Sequence, residues 1–153
     1  METLVDTNKS FTFWQSKTNW KQSAKNTFWC LVGCAIGDFG TIAFFQLNQI
    51  PWPTLAIMSL AIVNGLLTSI ALETYILRRN GMDLATSFRT AIGMSMVSMI
   101  GMEVAMNTTD WYLTGGALLT WWVIPIMLAA GFIAPWPYNY WRLQKWGKSC
   151  CTT

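Results

Sequence analysis

Four long apolar runs divide the chain, and short polar stretches separate them. The runs cover residues 27–47, 54–77, 84–106 and 115–134. Each is close to the roughly 20 residues with which an α-helix crosses about 30 Å of hydrocarbon. Because the connections are short, consecutive helices should pack as antiparallel neighbours. The pattern therefore predicts an all-α membrane protein, an antiparallel up-down four-helix transmembrane bundle.

The remaining segments are predicted to lie on one side of the membrane. Residues 1–26 precede the first run as a cytoplasmic segment, and residues 135–153 follow the fourth as an interfacial segment. The mixture of aromatic and cationic side chains at 138–148 is typical of a short amphipathic segment at a membrane surface. We expect a single integral membrane domain over residues 1–153, without a second domain.

The positive charges fall in three places that alternate with the apolar runs. One set precedes the first run, a second surrounds the junction of the second and third runs, and a third follows the fourth: Lys9, Lys17, Lys21 and Lys25; Arg78, Arg79 and Arg89; Arg142, Lys145 and Lys148. The two other connections contain no cation. Because cytoplasmic loops retain Lys and Arg, this distribution predicts that both termini lie inside.

The composition agrees with a membrane location. Hydrophobic residues make up 53% of the chain and charged residues only 11%, whereas charged residues usually form about a quarter of a soluble domain. The net charge is only +3, and topology and anionic headgroups account for the basic residues. A nucleic-acid partner is therefore not expected. The predicted partners are the lipid bilayer and either other membrane subunits or a second copy of the chain.

The first run carries two thiols and an acid on one helical stripe. Cys30, Cys34 and Asp38 recur every four residues, which places them on one side of a helix. One interpretation is that the cysteines are small, buried apolar residues. The other is a soft-metal site, since thiolates select soft ions. Gly33 and Gly37 lie on an adjoining face and predict close packing of two helices.

The third run carries a face rich in thioethers. Met96, Met99, Glu103 and Met106 fall within an arc of about 80° at 100° per residue. Thioethers select copper(I), so this face is a candidate metal path, although Met also simply fills gaps between helices. Counted at 1.5 Å per residue from the inner ends of the runs, Met99 lies about 12 Å further out than Cys34. Two separate copper-binding sites are therefore expected rather than one compact site.

The absence of His narrows the possible chemistry. The chain contains no His, so haem bound through imidazole, His-ligated zinc and His-based proton transfer are not expected. The remaining reactive groups are thiols, thioethers and carboxylates. Copper(I) is the one cofactor that they suggest.

Acids inside the membrane need partners, because a lone carboxylate at depth is costly. Glu73 and Arg89 lie about 6 and 7.5 Å from the inner ends of neighbouring runs, so we expect them to form an ion pair. Asp38 is expected to be protonated, to bond Asn64 or Thr68, or to face a ligand. The stripe that it forms with Cys30 and Cys34 is expected to face the bundle interior or a partner helix rather than lipid.

The remaining acid and the terminal thiols have less defined roles. Glu103 is expected near the outer end of its helix, in contact with water or an exported partner. Cys150 and Cys151 follow the last cations. They could collect a soft metal, carry a lipid, or form a frayed terminus.

Three stretches together resemble a known family. They are residues 28–38 with the spacing Cys-x3-Cys-x2-Gly-acid, Met102-Glu103 with Asn107, and residues 136–141. They are similar to a family of small four-span prokaryotic integral membrane proteins catalogued only as a domain of unknown function. The resemblance covers roughly residues 20–141 and implies a fold and a prokaryotic cell membrane, without an established activity. Many members of that family carry His directly before the first cysteine, where this chain has Trp29.

Three functions from different classes follow from these observations. The leading hypothesis is a non-catalytic accessory or structural subunit that packs in a larger membrane complex, and not an enzyme. The alternative is a copper(I)-binding protein that uses Cys30, Cys34 and the thioether face. The third is a small proton-coupled transporter that uses Asp38 and Glu103.

Overall fold

The computed structural model describes residues 13–146, and all regular secondary structure in that part is helical. The helices are α1 Lys17–Asn48, α2 Thr54–Arg79, α3 Leu84–Thr114, α4 Val123–Ile133 and α5 Trp136–Trp146. The predicted all-α class is confirmed for these residues. Cys150 and Cys151 lie outside the described residues, so their possible roles stay predictions.

Short caps and turns set the direction of the first three helices. The Ser16 side chain caps α1 by accepting from the Asn19 amide at 3.4 Å, and Asp83 caps α3 by accepting from the Ala85 amide at 3.2 Å. Gln49 ends α1 in the left-handed conformation, at φ 51°. Such caps satisfy amides and carbonyls that a helix end leaves unbonded. The turns are too short for anything but antiparallel neighbours, so α1 and α3 run in the same direction and both run antiparallel to α2.

The fourth apolar run is not one helix, which corrects the prediction for 115–134. Residues 115–122 are non-helical, and α4 contains only 11 residues. At 1.5 Å per residue α4 is about 16 Å long, well short of the roughly 30 Å of a hydrocarbon core. The physical reason is Gly115, whose φ of 76° ends α3, since side chains other than Gly rarely adopt that conformation.

Two other helices are longer than the apolar runs that predicted them. α1 begins ten residues before the first run, at Lys17, and α3 continues past the third run to Thr114. Polar residues can extend a helix beyond its apolar part, so hydropathy alone underestimates helix length. Of the described helices, α1 and α2 are each long and apolar enough to cross a membrane.

Buried acids and exposed apolar side chains distinguish this chain from an ordinary soluble domain. Asp38, Glu73, Glu103 and Asp110 are completely buried. Large apolar side chains are instead exposed around the outside of the helices, among them Ile36, Leu47, Leu55, Val63, Leu67, Val97, Val104 and Trp121. Asp and Glu are among the residues least often buried in soluble proteins. The chain therefore exposes large apolar side chains and encloses four acids in an interior that also contains apolar residues.

Glycine brings α1 and α2 into close contact. A Cβ at Gly33 would overlap the backbone of Ser69, and a Cβ at Gly37 would overlap the carbonyl group of Asn64. The Thr68 hydroxyl donates to the Gly33 carbonyl at 2.6 Å, a contact that only such a close approach allows. The predicted role of these two glycines in helix packing is confirmed.

Helix α5 packs along the first turns of α1. The Asn139 amide donates to the Thr27 hydroxyl at 2.8 Å. The Tyr140 ring stacks on the Trp20 ring with centroids 4.1 Å apart, and the Trp136 indole donates to Ser23 at 3.1 Å. This part of the predicted interfacial segment is therefore a helix fixed to α1.

Candidate buried carboxyl–thiol site

The stripe on α1 lies inside the bundle. Cys30, Cys34 and Asp38 have exposed fractions of 1% or less, which confirms the prediction that this stripe faces the interior. Each is one turn, about 6 Å, from the next. The stripe therefore presents two thiols and a carboxyl group in a line of about 12 Å to α2 and α3.

The inner end of this line is a thiol–carboxyl pair. The Cys30 thiol donates a hydrogen bond to the Glu73 carboxyl group of α2. Ser69 lies one turn along α2 and donates to the Cys30 carbonyl at 3.2 Å. Both helices thus contribute side chains at the level of Cys30.

The predicted ion pair between Glu73 and Arg89 is wrong. Arg89 is exposed, whereas Ser87 and Ala91 on either side of it are buried. Residues two apart on a helix point about 200° apart, so Arg89 faces away from the core that its neighbours enter. The depths of the two residues matched, but their helical faces did not.

Glu103 occupies the junction of three helices. Its carboxyl group lies beside the Cys34 thiol of α1 and the Asp38 carboxyl group. On α2 the space for it is provided by Gly65, where a Cβ would overlap the Glu103 carboxyl group. The side chain is completely buried, so the expectation that Glu103 contacts water near the outer end is wrong. Neither of its oxygens makes a regular hydrogen bond within residues 13–146.

The outer end of the line is an acid–amide pair. The Asn107 amide donates to Asp38 at 2.9 Å and to the Glu103 carbonyl at 3.1 Å. The expected partners of Asp38 bond elsewhere: Asn64 donates to Thr41 at 2.8 Å, and Thr68 donates to backbone carbonyls. The four-residue spacing of Asn107 from Glu103 was the signal that could have identified this partner.

Sulfur atoms fill the core around the same residues. One buried cluster holds Cys30, Cys34, Met99, Met102, Met106 and Met127, with exposed fractions of 0–1%. Met96, which was predicted on the same face, only borders the cluster. Met106 lies against Gly131 of α4, where a Cβ would come within 3.0 Å of its sulfur. Met102 and Met127 had not been predicted as part of this core.

The register of α1 and α3 removes the predicted offset between the thiols and Met99. Glu103 lies beside Cys34, and the two helices run in the same direction. Met99 lies one turn before Glu103, and Cys30 lies one turn before Cys34. Met99 is therefore at the level of Cys30, and the predicted 12 Å separation is wrong. The error arose because α1 begins ten residues before its apolar run.

The acids in this core have other acids, a thiol and an amide as neighbours. Asn107, Glu103 and Asp110 influence the Asp38 carboxyl group through hydrogen bonds or charge. Asp38 and Cys34 influence the Glu103 carboxyl group in the same ways. No cation of the described part of the chain is among them. A buried carboxyl group in such surroundings is stabilised as the neutral acid or by a bound cation. Carboxyl and thiol groups are thus the proton-binding groups that this site contains.

A hard-metal centre is not prearranged here. The Cys, Asp and Glu side chains of residues 13–146 do not form a group of three positioned to hold one metal ion. Hard cations require several oxygen ligands around a single point.

The fold and this site define a class: a helical protein that exposes large apolar side chains and buries acids in its core. The chain belongs to the family described as "Domain of unknown function (DUF4396)", whose model matches residues 19–148. This confirms the resemblance to a family catalogued only as a domain of unknown function. Comparisons with curated proteins and with solved structures give no match.

Proposed function

We propose that the protein is an integral membrane protein that crosses the bilayer four times with both termini inside. The supporting observation is that four acids are buried while many large apolar side chains, among them Ile, Leu and Val, are exposed. An apolar exterior is stable against lipid and unfavourable against water. The cations also fall only at the ends that this topology assigns to the inside.

The non-helical part of the fourth crossing is compatible with a bilayer because side chains bond its backbone. The Gln46 side chain accepts from the Leu119 amide at 2.9 Å and donates to the Leu119 carbonyl at 3.2 Å. Asp110 accepts from the Leu118 amide at 3.1 Å. Irregular backbone is tolerated at membrane depth only where such partners exist. Residues 115–122, α4 and α5 would together return the chain to the inside.

Impermeant thiol labelling tests this topology. In a Cys150→Ser/Cys151→Ser background, Gln49→Cys should react from outside intact cells, because Gln49 lies in the turn after α1. Asn80→Cys should react only after the membrane is opened, because Asn80 follows α2. Reaction of Asn80→Cys in intact cells would reverse the topology.

For the activity, we propose a small proton-coupled transporter. The single observation that carries this proposal is Glu103, a completely buried carboxyl group that contacts two further titratable groups, Cys34 and Asp38. Its chemistry resembles that of the carboxyl groups that relay protons in membrane pumps, where acids face the bundle interior. Glu73 with Cys30, Glu103 with Cys34, and Asp38 with Asn107 form three levels about 6 Å apart.

Infrared spectroscopy of the reconstituted protein tests the proton-binding step. The wild-type chain should show the carbonyl absorption of protonated carboxyl groups at neutral pH, with a shift in D₂O. Glu103→Gln should remove one component of that absorption. Asp83→Asn is the matched control, because Asp83 is an exposed cap and should leave the absorption unchanged. A wild-type spectrum without protonated carboxyl groups at neutral pH would refute the proposal.

The transporter proposal includes association with another membrane subunit or a second copy of the chain. Four helices of this length enclose little space for a pathway. Tyr112 and Trp121 are each 87% exposed, and such aromatic side chains suit a protein interface. An accessory role in a larger complex, without catalysis, is the second candidate. Native mass spectrometry of gently solubilised protein separates the two, since an accessory subunit requires a different, stoichiometric partner.

A further inference from the structure

We propose that the buried core binds copper(I), with the Cys30 thiolate and the Met99 thioether as ligands and Glu73 as the acceptor of the thiol proton. This inference rests on the proposed transport function and names its cargo as a soft monovalent cation. Its first support is the donor set, in which two thiols and four thioethers form one buried cluster. Thiolate and thioether sulfur select copper(I) over harder ions.

The contact between Cys30 and Glu73 gives a second support, because it provides an acceptor for the thiol proton. The resulting thiolate can then balance the positive charge of a copper(I) ion in the buried core. The Cys30 thiol already donates to the Glu73 carboxyl group. Before binding, Glu73 is an ionised carboxylate that accepts the hydrogen bond of the thiol. On binding, the S–H bond breaks, the S–Cu bond forms, and the proton moves to the Glu73 carboxylate oxygen. The copper(I) charge is then balanced by one thiolate, and Glu73 becomes a neutral acid. Neither product leaves an uncompensated charge in the low-dielectric interior.

The register of the helices gives a third support. Met99 is completely buried and lies at the level of Cys30, as derived from the contact between Glu103 and Cys34. The Cys34–Glu103 pair repeats the same arrangement one turn, about 6 Å, further along α1. Met102 and Met106 lie in the same cluster. The core thus offers two thiol–carboxyl pairs in sequence, each next to thioethers.

A copper-retention assay on the full chain tests this inference. All variants carry Cys150→Ser and Cys151→Ser, because these are the only other thiols in the sequence. Detergent-solubilised protein is loaded with copper(I) in oxygen-free reducing buffer and challenged with a chromogenic copper(I) chelator. This background should retain copper. Adding Cys30→Ser and Cys34→Ser together should abolish retention.

Two further variants separate the proposed roles. Glu73→Gln removes the proton acceptor without removing a sulfur ligand and should weaken copper binding about 10- to 100-fold, as loss of an outer-shell partner does. Met99→Leu keeps the volume but removes the thioether and should also weaken binding. Met58→Leu is its matched control, because Met58 is buried on α2 outside the sulfur cluster and should retain copper like the background.

The outcomes also distinguish this inference from the proposed function. A background chain that holds no copper, or a Cys30→Ser/Cys34→Ser chain that holds as much as the background, overturns the copper site. So does Glu73→Gln with unchanged affinity. If the double variant aggregates, Met99→Leu and Glu73→Gln decide the question. In each of these cases an unchanged infrared signal of Glu103 would still support the proposed proton coupling, and the transported substrate would then be something other than copper(I).

Discussion

Replacing Gly65 with Ala should disturb the core specifically through Glu103. A Cβ at this position would overlap the Glu103 carboxyl group and come within 3.1 Å of the Cys34 carbonyl oxygen. The carboxyl group can move only by giving up its place beside Cys34 and Asp38. The backbone carbonyl of Cys34 has less freedom, since it belongs to α1. The substitution therefore tests whether Glu103 occupies the junction of the three helices.

The magnitude follows from two opposed effects. Ala is about 1 kcal/mol more favourable than Gly in a helix, and overpacking a filled core typically destabilises by about 1 to 3 kcal/mol. The free energy of unfolding of Gly65→Ala should therefore fall by up to about 2 kcal/mol. Gly101→Ala is the matched control, because nothing lies within 4 Å of a Cβ there. It should be neutral or slightly stabilising.

A double-mutant cycle gives the sharpest measurement. The four chains are wild type, Gly65→Ala, Glu103→Ala and the double variant, unfolded reversibly in mixed micelles and followed by helical circular dichroism. Because Glu103→Ala removes the atoms that the new methyl group meets, the effect of Gly65→Ala should largely disappear in that background. Groups in contact give coupling energies of about 0.5 to 3 kcal/mol. If the effect is the same in both backgrounds, or if Gly65→Ala is as stable as Gly101→Ala, the position of Glu103 against α2 is wrong.

Three further substitutions test other parts of the fold. Gly37→Ala should destabilise by about 3 kcal/mol or more, because the new Cβ meets backbone atoms of α2 that cannot move aside; Gly40→Ala, with open space around it, should not, and equal stability of the two would contradict the close helix contact. Asn107→Ala should destabilise by about 1 to 3 kcal/mol, because it leaves Asp38 without the 2.9 Å hydrogen bond; an unchanged unfolding curve would count against that bond. Arg89→Ala should change stability by less than about 0.5 kcal/mol, as expected for an exposed side chain, and a large loss would restore the ion pair with Glu73.

Several features of this protein could be read from local sequence patterns. The apolar runs predicted α1, α2 and most of α3, because burial of a helix in an apolar environment requires a long run of apolar residues. The four-residue spacing of Cys30, Cys34 and Asp38 predicted a shared stripe, because the period of the helix is fixed by its own backbone geometry. Gly33 and Gly37 predicted close packing, because the helical period places them on one face and neither has a side chain to hold a neighbouring helix away. Each inference concerned residues of a single helix.

The failed predictions concern the positions of helices relative to one another, or a break in a helix that the hydropathy pattern does not indicate. Arg89 has the depth of Glu73 but faces away from the core, and Met99 lies level with Cys30 rather than about 12 Å further out. The Arg89 error came from comparing depth without the helical face, and the Met99 error came from counting residues within an apolar run, whereas α1 begins ten residues before its run. The break at 115–122 arises at Gly115 and is stabilised by Asp110 and other side chains. Hydropathy records none of these polar contacts.

The interior of the bundle is therefore decided by tertiary structure. The sequence places acids, thiols and thioethers on three helices. Local sequence patterns do not give the rotation of one helix relative to another or its shift along the axis. Those two quantities are set by interhelical packing, here by the glycines that admit α2 to α1 and by the space at Gly65 that receives Glu103. These two quantities place Asn107 where it donates to Asp38 and Cys30 where it donates to Glu73. A helix determines its own faces by its period, and its neighbours determine what each face meets.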